Sequence, residues 1–405
     1  MDNRLETGSR VRMIDTIRGF SLLGILISNM LIFQYGIYGK DEMEYFDPSK
    51  LDAMTHKLLT VFVEGSFMPI FMFLFGYSLF KLRESLVQRG LRQGPALVRR
   101  FLLLIGFGML HSVLLWEGDI LLAYGATGFV LLLFVNRKVK TLLIWGIALS
   151  TVMFLTGLLP DEELTGATAR MNEYVEQSIE VYGGGSYAEV MDFRLNEDPL
   201  GLPLGLMLAS VALAPLMLLP MFLFGIAAAR KQWFHNPLRE RRTNARLAAL
   251  SVPIGLALKA VAVWQISSSW SFALIMTGGL VLALGYIFTM AAVLGSISKR
   301  NVVVSAFEAI GRMSMTNYIM QTVICTTIFY GYGLGWFGDV GVLNGLLLAL
   351  LIYSTQAVVT SFMLRSFKNG PLERLLRMWT YLTFSGKART ARRPGAGEQE
   401  QSVHL

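Results

Sequence analysis

One histidine of this sequence, His111, stands inside an apolar stretch and is followed within eight residues by Trp116, Glu117 and Asp119. A histidine in apolar surroundings is expected to be neutral and able to accept a proton, as a general base for a hydroxyl or amine must be. Either carboxylate could orient the imidazole or bind the acceptor of a transferred group. The alternative is a histidine hydrogen-bonded between two helices, followed by an interfacial tryptophan and a polar turn.

A second set of polar residues opens the first apolar stretch. Asp15 and Arg18 are three residues apart, which places them on one face of a helix, and Asn29 follows farther along. A charged side chain inside a membrane costs roughly 2.5–3.5 kcal/mol on insertion scales, so each one needs a partner or a role. The pair either anchors the helix at the membrane interface or lines a polar vestibule.

Two more charged residues lie near the ends of apolar stretches. Arg100 precedes His111 by eleven residues, at the foot of the same apolar stretch. Glu64 lies early in another stretch that runs in the opposite direction, so we expect it at a depth similar to that of His111 and facing the same cavity.

A polar stripe begins a later apolar stretch. Its members at helical spacing include Arg312, Asn317 and Gln321. Such a stripe either lines a binding site or joins neighbouring helices, and the sequence leaves both interpretations open.

Membrane-spanning helices must position these residues. The 405 residues are 54% hydrophobic and only 16% charged, with a mean hydropathy of +0.51, whereas soluble proteins carry about 25% charged residues. Long apolar runs alternate with short charged segments, as helices of about 20 residues crossing a bilayer require. We therefore predict an all-α, polytopic transmembrane helix bundle of about ten helices. The predicted spans are 14–34, 58–80, 101–116, 119–135, 141–159, 201–229, 246–264, 272–296, 313–334 and 341–364.

The charges of the connecting segments predict the orientation and the domain boundaries. Connections rich in arginine and lysine alternate with acidic or neutral ones, and the positive-inside rule then places both termini in the cytoplasm. We expect the bundle to occupy 1–365 with an outer acidic loop at 160–200. An interfacial amphipathic helix is predicted at 366–384 and a disordered cytoplasmic tail at 385–405.

Composition and motifs disfavour several classes of function. The net charge of +8 resides in arginines and lysines at helix ends, so we expect no nucleic-acid partner. The single cysteine, Cys325, rules out an intramolecular disulfide, and no two histidines have the spacing of zinc or haem ligands. The sequence has no Walker motif, nucleotide-binding glycine loop or H-E-x-x-H. We expect no metal cofactor.

Four segments in the right order along the chain, 12–29, 108–121, 311–321 and 370–381, resemble the YeiB-like family of bacterial membrane proteins, a domain of unknown function designated DUF418. That family is distantly similar to membrane acyltransferases of the acyltransferase-3 and heparan-glucosaminide acetyltransferase types. These are bundles of about ten helices that open with a Leu-Asp-x-x-Arg-Gly element. The Asp15–Gly19 run matches that element in part, since an isoleucine precedes the aspartate.

The resemblance implies roles for two residues. Acyltransferase-3 members carry an Arg-x10-His pattern in the third helix, and Arg100 and His111 have that spacing. His111 would then be the catalytic base or the residue that accepts the acyl group. Arg100 would be a partner of the acyl donor, which is typically an acyl-CoA. Other motifs of that group are missing, and the C-terminal half differs.

These features together favour transfer of an acyl group from a cytoplasmic acyl-CoA to a hydroxyl or amine. We expect the acyl group to be acetyl. The acceptor would be an envelope glycan, a lipid headgroup or an exported small molecule, and Arg100 with Arg18 would hold the donor phosphates. The alternative is a transporter or exporter of small molecules or lipids that uses the same polar cavity, and a non-enzymatic scaffold comes third. We expect a multi-pass protein of the bacterial plasma membrane that contacts lipids, and a homodimer is left open.

Overall fold

The fold is described by a computed structural model that covers residues 2–158, 167–201, 203–265, 270–297 and 301–386. The chain is all-α, with no strand in these ranges. Its helices are α1 (Asp2–Tyr35), α2 (Lys50–Phe62), α3 (Phe67–Gln88), α4 (Gln93–Leu114), α5 (Leu121–Leu131), α6 (Val139–Thr156), α7 (Ala167–Gly184), α8 (Tyr187–Asn196), α9 (Leu204–Arg230), α10 (Pro237–Trp264), α11 (Trp270–Leu294), α12 (Val302–Arg312), α13 (Ser314–Phe329), α14 (Val342–Ser366) and α15 (Pro371–Tyr381).

Eight helical segments in the described part of the chain are long and apolar enough to cross a membrane, so the chain is a multi-pass membrane protein. They are Arg12–Tyr35, Lys50–Gln88, Gln93–Leu114, Val139–Thr156, Leu213–Arg230, Pro237–Trp264, Trp270–Leu294 and Val342–Ser366.

Two of the ten predicted spans form shorter helices. The stretch 119–135 yields α5, whose 11 residues reach only about 16 Å. The stretch 313–334 yields α13, whose 16 residues follow a break at Met313. Both lengths fall short of a hydrocarbon core about 30 Å thick. Both helices begin inside the bundle, where side chains rather than water satisfy their first N–H groups. The cytoplasmic location of the termini stays a prediction.

Helix α1 crosses α12 in backbone contact. A methyl group at Gly19 would overlap the carbonyl oxygen of Phe307, and one at Gly311 would overlap that of Asp15. Small residues at such a crossing are typical of membrane bundles, because backbones must approach closely to gain packing contacts. The crossing brings Arg18 of α1 beside the end of α12.

Helix α15 lies within the predicted segment 366–384 and packs against α4 and α13. Its Glu373 carboxylate accepts hydrogen bonds from the backbone N–H groups of Met315 (2.7 Å) and Thr316 (3.0 Å) and from the Thr316 hydroxyl (2.6 Å). A residue from another helix thus caps α13, as a carboxylate at a helix N-terminus does favourably. Leu375 and Trp379 are exposed on the outside of α15. Its position at the membrane interface, like the disordered tail, stays a prediction, and 387–405 lie outside the described residues.

The predicted acidic loop forms two helices where the structure describes it. Helix α7 ends at Gly184, within the run of three glycines at 183–185. Helix α8 starts with a capping box in which the Ser186 side chain accepts the N–H of Glu189, whose carboxylate accepts the N–H of Ser186. Residues 159–166 lie outside the described ranges.

Candidate functional site

His111 lies in a chain of three buried polar side chains. It belongs to the last turn of α4, and its Nδ1 is 2.8 Å from Oδ1 of Asp119, in the connection to α5. Its Nε2 is 3.0 Å from the hydroxyl oxygen of Thr322 on α13. The His111 and Asp119 side chains are only 1% and 2% exposed, and Thr322 is 1% exposed. Residues 211 positions apart therefore form one hydrogen-bonded unit.

The geometry fixes which nitrogen of His111 carries the proton. The other carboxylate oxygen of Asp119 accepts the backbone N–H of Leu122 at 2.7 Å, so Asp119 also caps α5. An ionised carboxylate only accepts hydrogen bonds, and the neutral imidazole therefore has its proton on Nδ1. The lone pair of Nε2 then faces the Thr322 hydroxyl. Hydroxyl, imidazole and carboxylate in this order are the arrangement that activates an oxygen nucleophile.

An aromatic shell surrounds the imidazole. The Tyr318 ring centre lies 5.3 Å from that of His111, and the Trp116 ring stands perpendicular to it at 6.4 Å. Trp116 is completely buried and packs on Phe33 at 4.2 Å. Such a shell keeps water away and strengthens the polar contacts inside it.

A cavity of about 160 Å³ lies next to this unit, between α1, α3, α4, α5, α12, α13 and α15. Tyr318 lines the cavity and also contacts the imidazole of His111, which does not line it. Because several arginines line it, we call it the arginine cavity. The wall residues that the argument uses are Arg18, Arg100, Ile120, Leu121, Arg312 and Tyr318.

The arginines of this cavity differ in their partners. Arg18 donates to Asp15 at 2.9 Å and to Ser78 at 2.8 Å, so the predicted pair on α1 is present. Arg312 is exposed and donates to the carbonyl oxygen of Lys368 at 3.1 Å. Within the described residues, Arg100 makes neither a hydrogen bond nor an ion pair, although it is half-buried.

The acidic side of the cavity does not neutralise it. Glu373, the carboxylate of its wall, is occupied by the N-terminus of α13. A second cavity of about 150 Å³ shares Ser78 and Arg100 with the first and adds Arg377 and Tyr381 of α15. The two cavities thus present a cationic surface on which Arg100 is free to bind an anion.

The structure brings some predicted site residues together and separates others. Arg100 was expected at the foot of its span, but α4 begins at Gln93, so Arg100 lies about two turns inside the helix. Its offset from His111 on the same helix corresponds to about 16 Å along the axis. The free cation and the histidine are therefore at opposite ends of one polar region.

Of the two carboxylates predicted to orient His111, Asp119 contacts the imidazole and Glu117 does not. Its carboxylate accepts the Tyr182 hydroxyl at 3.0 Å and lies 3.7 Å from Nη1 of Arg194, so it turns toward α7 and α8. Consecutive residues of a turn point in different directions, and Asp119 alone faces the imidazole.

Glu64 was predicted to face the same cavity as His111, but it is not among the residues that line the arginine cavity. It lies in the break between α2 and α3 and forms an ion pair with Lys40 at 2.6 Å. Its carbonyl oxygen and the Ser66 hydroxyl accept hydrogen bonds from Lys259, a lysine on α10 with no exposed surface. We call Lys40, Glu64 and Lys259 the lysine cluster. Its glutamate is committed to these lysines.

Two residues of the polar stripe on α13 form hydrogen bonds with α14. The Asn317 side-chain oxygen accepts the Thr360 hydroxyl at 3.1 Å, and Gln321 donates to Gln356 at 3.0 Å, so both residues join α13 to α14. Asn29 is half-buried and makes no hydrogen bond within the described part of the chain. These contacts favour a helix-joining role for Asn317 and Gln321.

Sequence reasoning missed Thr322. The predicted stripe extends from Arg312 to Gln321 and ends one residue before Thr322, although Thr322 lies one helical turn after Tyr318. Spacing could have placed Thr322 on the face of Tyr318, but only the packing of α13 against α4 brings its hydroxyl to His111. Among the described residues there is no group of three His, Cys, Asp or Glu side chains able to hold a metal ion.

Comparisons of the sequence with known proteins identify its family. The family described as "Protein of unknown function (DUF418)" matches residues 228–383. The uncharacterised protein YxaH of Bacillus subtilis is 33% identical over 390 residues, which cover 93% of this chain and 96% of YxaH. The uncharacterised protein YeiB of Escherichia coli is 32% identical over 390 residues, covering 91% of this chain and 95% of YeiB.

No solved structure matches the chain. The family is nevertheless secure, because the alignments to YxaH and YeiB extend over nearly the full length of all three proteins. The segment 228–383 that matches the family directly contains α12, α13 and α15, and hence Thr322, Tyr318 and Glu373. The chain is a member of the YeiB-like DUF418 family.

Proposed function

We propose that this protein is a membrane acyltransferase that moves an acyl group from an acyl-CoA to a hydroxyl or amine. The observation that supports this most directly is the cationic cavity with the unpaired Arg100, which ends one side chain away from the buried His111–Asp119 pair. An anion-binding surface joined to a positioned base suits a donor that carries phosphates at one end and a reactive carbonyl at the other.

The donor phosphates would bind at Arg100, assisted by Arg18 and Arg312. These three guanidinium groups line one cavity, and among the described residues only Arg18 has a carboxylate partner. The distance of about 16 Å along α4 from Arg100 to His111 requires a donor with a long flexible arm between its phosphates and its reactive group. A CoA thioester has that construction, whereas a simple acyl phosphate does not.

His111 would act as the general base at the other end. Asp119 holds the imidazole with Nε2 as acceptor and stabilises the imidazolium that forms when a proton is taken up. The Tyr318 ring closes this end of the cavity, and its hydroxyl makes a 3.3 Å hydrogen bond to the carbonyl oxygen of Gly118. Reaction requires this ring to move.

The distant similarity to acyltransferase-3 proteins supports the same assignment. The Asp15–Gly19 element carries Arg18, and the Arg-x10-His pattern joins Arg100 to His111. Arg100 lines the arginine cavity, and His111 contacts Tyr318, which lines the same cavity. If the arginine-rich side faces the cytoplasm, acyl-CoA is available there, and the acceptor would be an envelope glycan, a lipid headgroup or an exported small molecule.

The proposal is tested by thermal unfolding of the purified protein in detergent with acetyl-CoA and, separately, with free CoA. A ligand at 100 times its dissociation constant adds about 2.7 kcal/mol to the free energy of unfolding. We expect acetyl-CoA to raise Tm for the wild type, and Arg100→Gln to remove most of the rise. Arg137→Gln is the matched control, because Arg137 is an exposed arginine outside the cavity.

The same preparations are then assayed for release of CoA thiol from acetyl-CoA, with water as the acceptor. We expect slow release by the wild type and none by His111→Gln. Absence of any acyl-CoA effect on Tm, or equal effects in wild type and Arg100→Gln, would contradict the proposal. Movement of a solute across proteoliposomes without CoA would instead favour a transporter that uses this cavity.

A further inference from the structure

We propose that Thr322 is the residue that carries the acyl group during transfer, as a threonine ester. This inference rests on the acyltransferase activity proposed above and adds a covalent step to it. The observation behind it is that the base already has a hydroxyl in place. The acceptor nitrogen of His111 points at Thr322 at 3.0 Å and not into the cavity.

The orientation of the imidazole decides between two mechanisms. If His111 served only to deprotonate an external acceptor, Nε2 would face open space where that acceptor binds. Its proton-accepting lone pair is instead directed at a protein hydroxyl, and Asp119 holds it there through Nδ1. The proton that His111 is positioned to take is that of Thr322, which is the first requirement for an activated oxygen nucleophile.

The Thr322 hydroxyl makes its shortest contact outside its own helix, unlike Thr327 and Thr355. A threonine within a helix usually donates to the carbonyl oxygen four residues earlier. Thr327 on α13 does so at 2.7 Å and Thr355 on α14 at 2.9 Å. The corresponding distance from Thr322 to the Tyr318 carbonyl oxygen is 3.5 Å, so its shorter contact is the one to His111. The hydroxyl therefore lies closer to the imidazole than to the carbonyl oxygen of its own helix.

The first step balances with the acyl thioester as the only co-reactant. The Thr322 oxygen attacks the thioester carbonyl carbon while its proton passes to Nε2 of His111. The carbon–sulfur bond breaks, and the leaving thiolate takes the proton from the imidazolium to give CoA thiol. The enzyme is left with an ester at Thr322 and a neutral histidine, and Asp119 stays ionised throughout.

The second step returns the enzyme to its starting state. An acceptor hydroxyl or amine gives its proton to Nε2 of His111 and attacks the ester carbonyl carbon. The bond between the acyl carbon and the Thr322 oxygen breaks, and that oxygen regains a proton from the imidazolium. The acylated acceptor leaves, and the Thr322 hydroxyl again faces His111.

Tyr318 gives this route its gate. It lies one turn before Thr322 on α13, lines the arginine cavity and packs on the imidazole. Displacement of its ring would join the cavity to the Thr322 hydroxyl without any helix moving. An acyl group bound covalently to Thr322 then allows the donor to leave before the acceptor arrives. Donor and acceptor therefore need not be bound at the same time.

The test is covalent labelling with acetyl-CoA that carries radioactive acetyl, without added acceptor, followed by denaturing quench and peptide mapping. We expect label in the α13 peptide at Thr322, stable to mild acid as an oxygen ester is and an acyl-imidazole is not. Thr322→Ser keeps the hydroxyl and should be labelled. Thr322→Val should lose the label, whereas Thr326→Val, which removes a buried hydroxyl one turn farther on the same helix, should keep it.

Folding of each variant is checked by the rise in Tm with acetyl-CoA, which Thr322→Val should retain because the arginines are untouched. Label at any other residue would overturn the inference, as would CoA release by Thr322→Val at the wild-type rate. In the latter case His111-dependent release would leave the proposed acyltransferase standing with direct transfer. Failure of the wild type both to bind acetyl-CoA and to release CoA would instead remove the proposed function itself.

Discussion

The arginine cavity and the lysine cluster both place charged side chains within the helix bundle, yet they satisfy those charges in opposite ways. In the lysine cluster, Lys40 pairs with Glu64, and Lys259 is held by a backbone carbonyl and the Ser66 hydroxyl. In the arginine cavity, Arg100 has no protein partner among the described residues and open volume lies beside it.

This difference separates structural charges from functional ones. A buried charge without a partner is costly. We therefore expect a buried charge that has no function to be paired with another residue or replaced by an uncharged one. The lysine cluster stabilises the break between α2 and α3, where Glu64 and Ser66 lie outside helices. The arginine cavity leaves its cation to be paired by a ligand.

The largest effect is expected at His111. His111→Gln should lower acetyl-CoA-dependent CoA release by about 10²–10⁴-fold, since the general base is lost. The matched change near the lysine cluster is His56→Gln. The His56 ring is 2.9 Å from the carbonyl oxygen of Lys40. The rate of His56→Gln should stay near that of the wild type. Equal rates for wild type and His111→Gln would break the comparison.

The two carboxylates of the α4–α5 connection provide the next contrast. Asp119→Asn should lower the rate by about 10²-fold or more, because an amide can present its NH₂ to Nδ1 and so favour the wrong tautomer. Glu117→Gln should leave the rate near wild type, since Glu117 contacts Tyr182 and not His111. Rates are compared across pH. A larger loss in Glu117→Gln would mean that the observed hydrogen bonds do not report the catalytic roles.

The free arginine is expected to affect binding more than turnover. A charge-assisted hydrogen bond contributes about 1.5–3 kcal/mol, so Arg100→Gln should raise the Kd of acetyl-CoA by about 10- to 100-fold. The saturating rate should change little. Lys40→Gln should leave the Kd unchanged, because Lys40 lies in the other cluster. Titration calorimetry in detergent measures the Kd of acetyl-CoA for both variants. An unchanged Kd in Arg100→Gln would contradict the assignment of Arg100 as an anion-binding residue.

The smallest effect is on stability. Lys40→Met should lower the free energy of unfolding by about 1–3 kcal/mol, because it leaves Glu64 without its 2.6 Å partner. Arg100→Gln, measured alongside by urea unfolding, should lower it by less, since no partner is left behind. A larger loss for Arg100→Gln than for Lys40→Met would reverse the comparison.

The pH dependence of the same variant sharpens the prediction. Burial by itself lowers the pKa of Lys40, but the carboxylates of Glu64 and Asp41 outweigh it and raise the pKa above its ordinary value. The ammonium group therefore contributes stability that is fully present below the ordinary lysine pKa, near 10.4. That contribution is lost as the pH rises through the folded-state pKa, so the difference between wild type and Lys40→Met should be constant at neutral pH and shrink in strong alkali.

The sequence predicted those features that depend on neighbouring residues. Hydropathy alone identified the membrane spans, and a spacing of three predicted the pair of Asp15 and Arg18, which the structure contains at 2.9 Å. His111 was identified as a candidate because a histidine in an apolar run needs hydrogen-bond partners. Length failed for α5 and α13, because their first turns are capped by Asp119 and Glu373 inside the bundle, a contact invisible to a hydropathy window.

Local sequence therefore determined that this chain spans a membrane repeatedly, and which polar residues its apolar helices must accommodate. The tertiary structure decided which of those residues meet. It paired His111 with Thr322 across 211 positions and turned Glu117 away while Asp119 faced the imidazole. It also left Arg100 without a hydrogen-bond or ion-pair partner among the residues that the structure describes. The physical reason is range: helix formation and membrane insertion depend on adjacent residues, whereas hydrogen bonds between helices depend on the rotation and depth of each helix in the packed bundle.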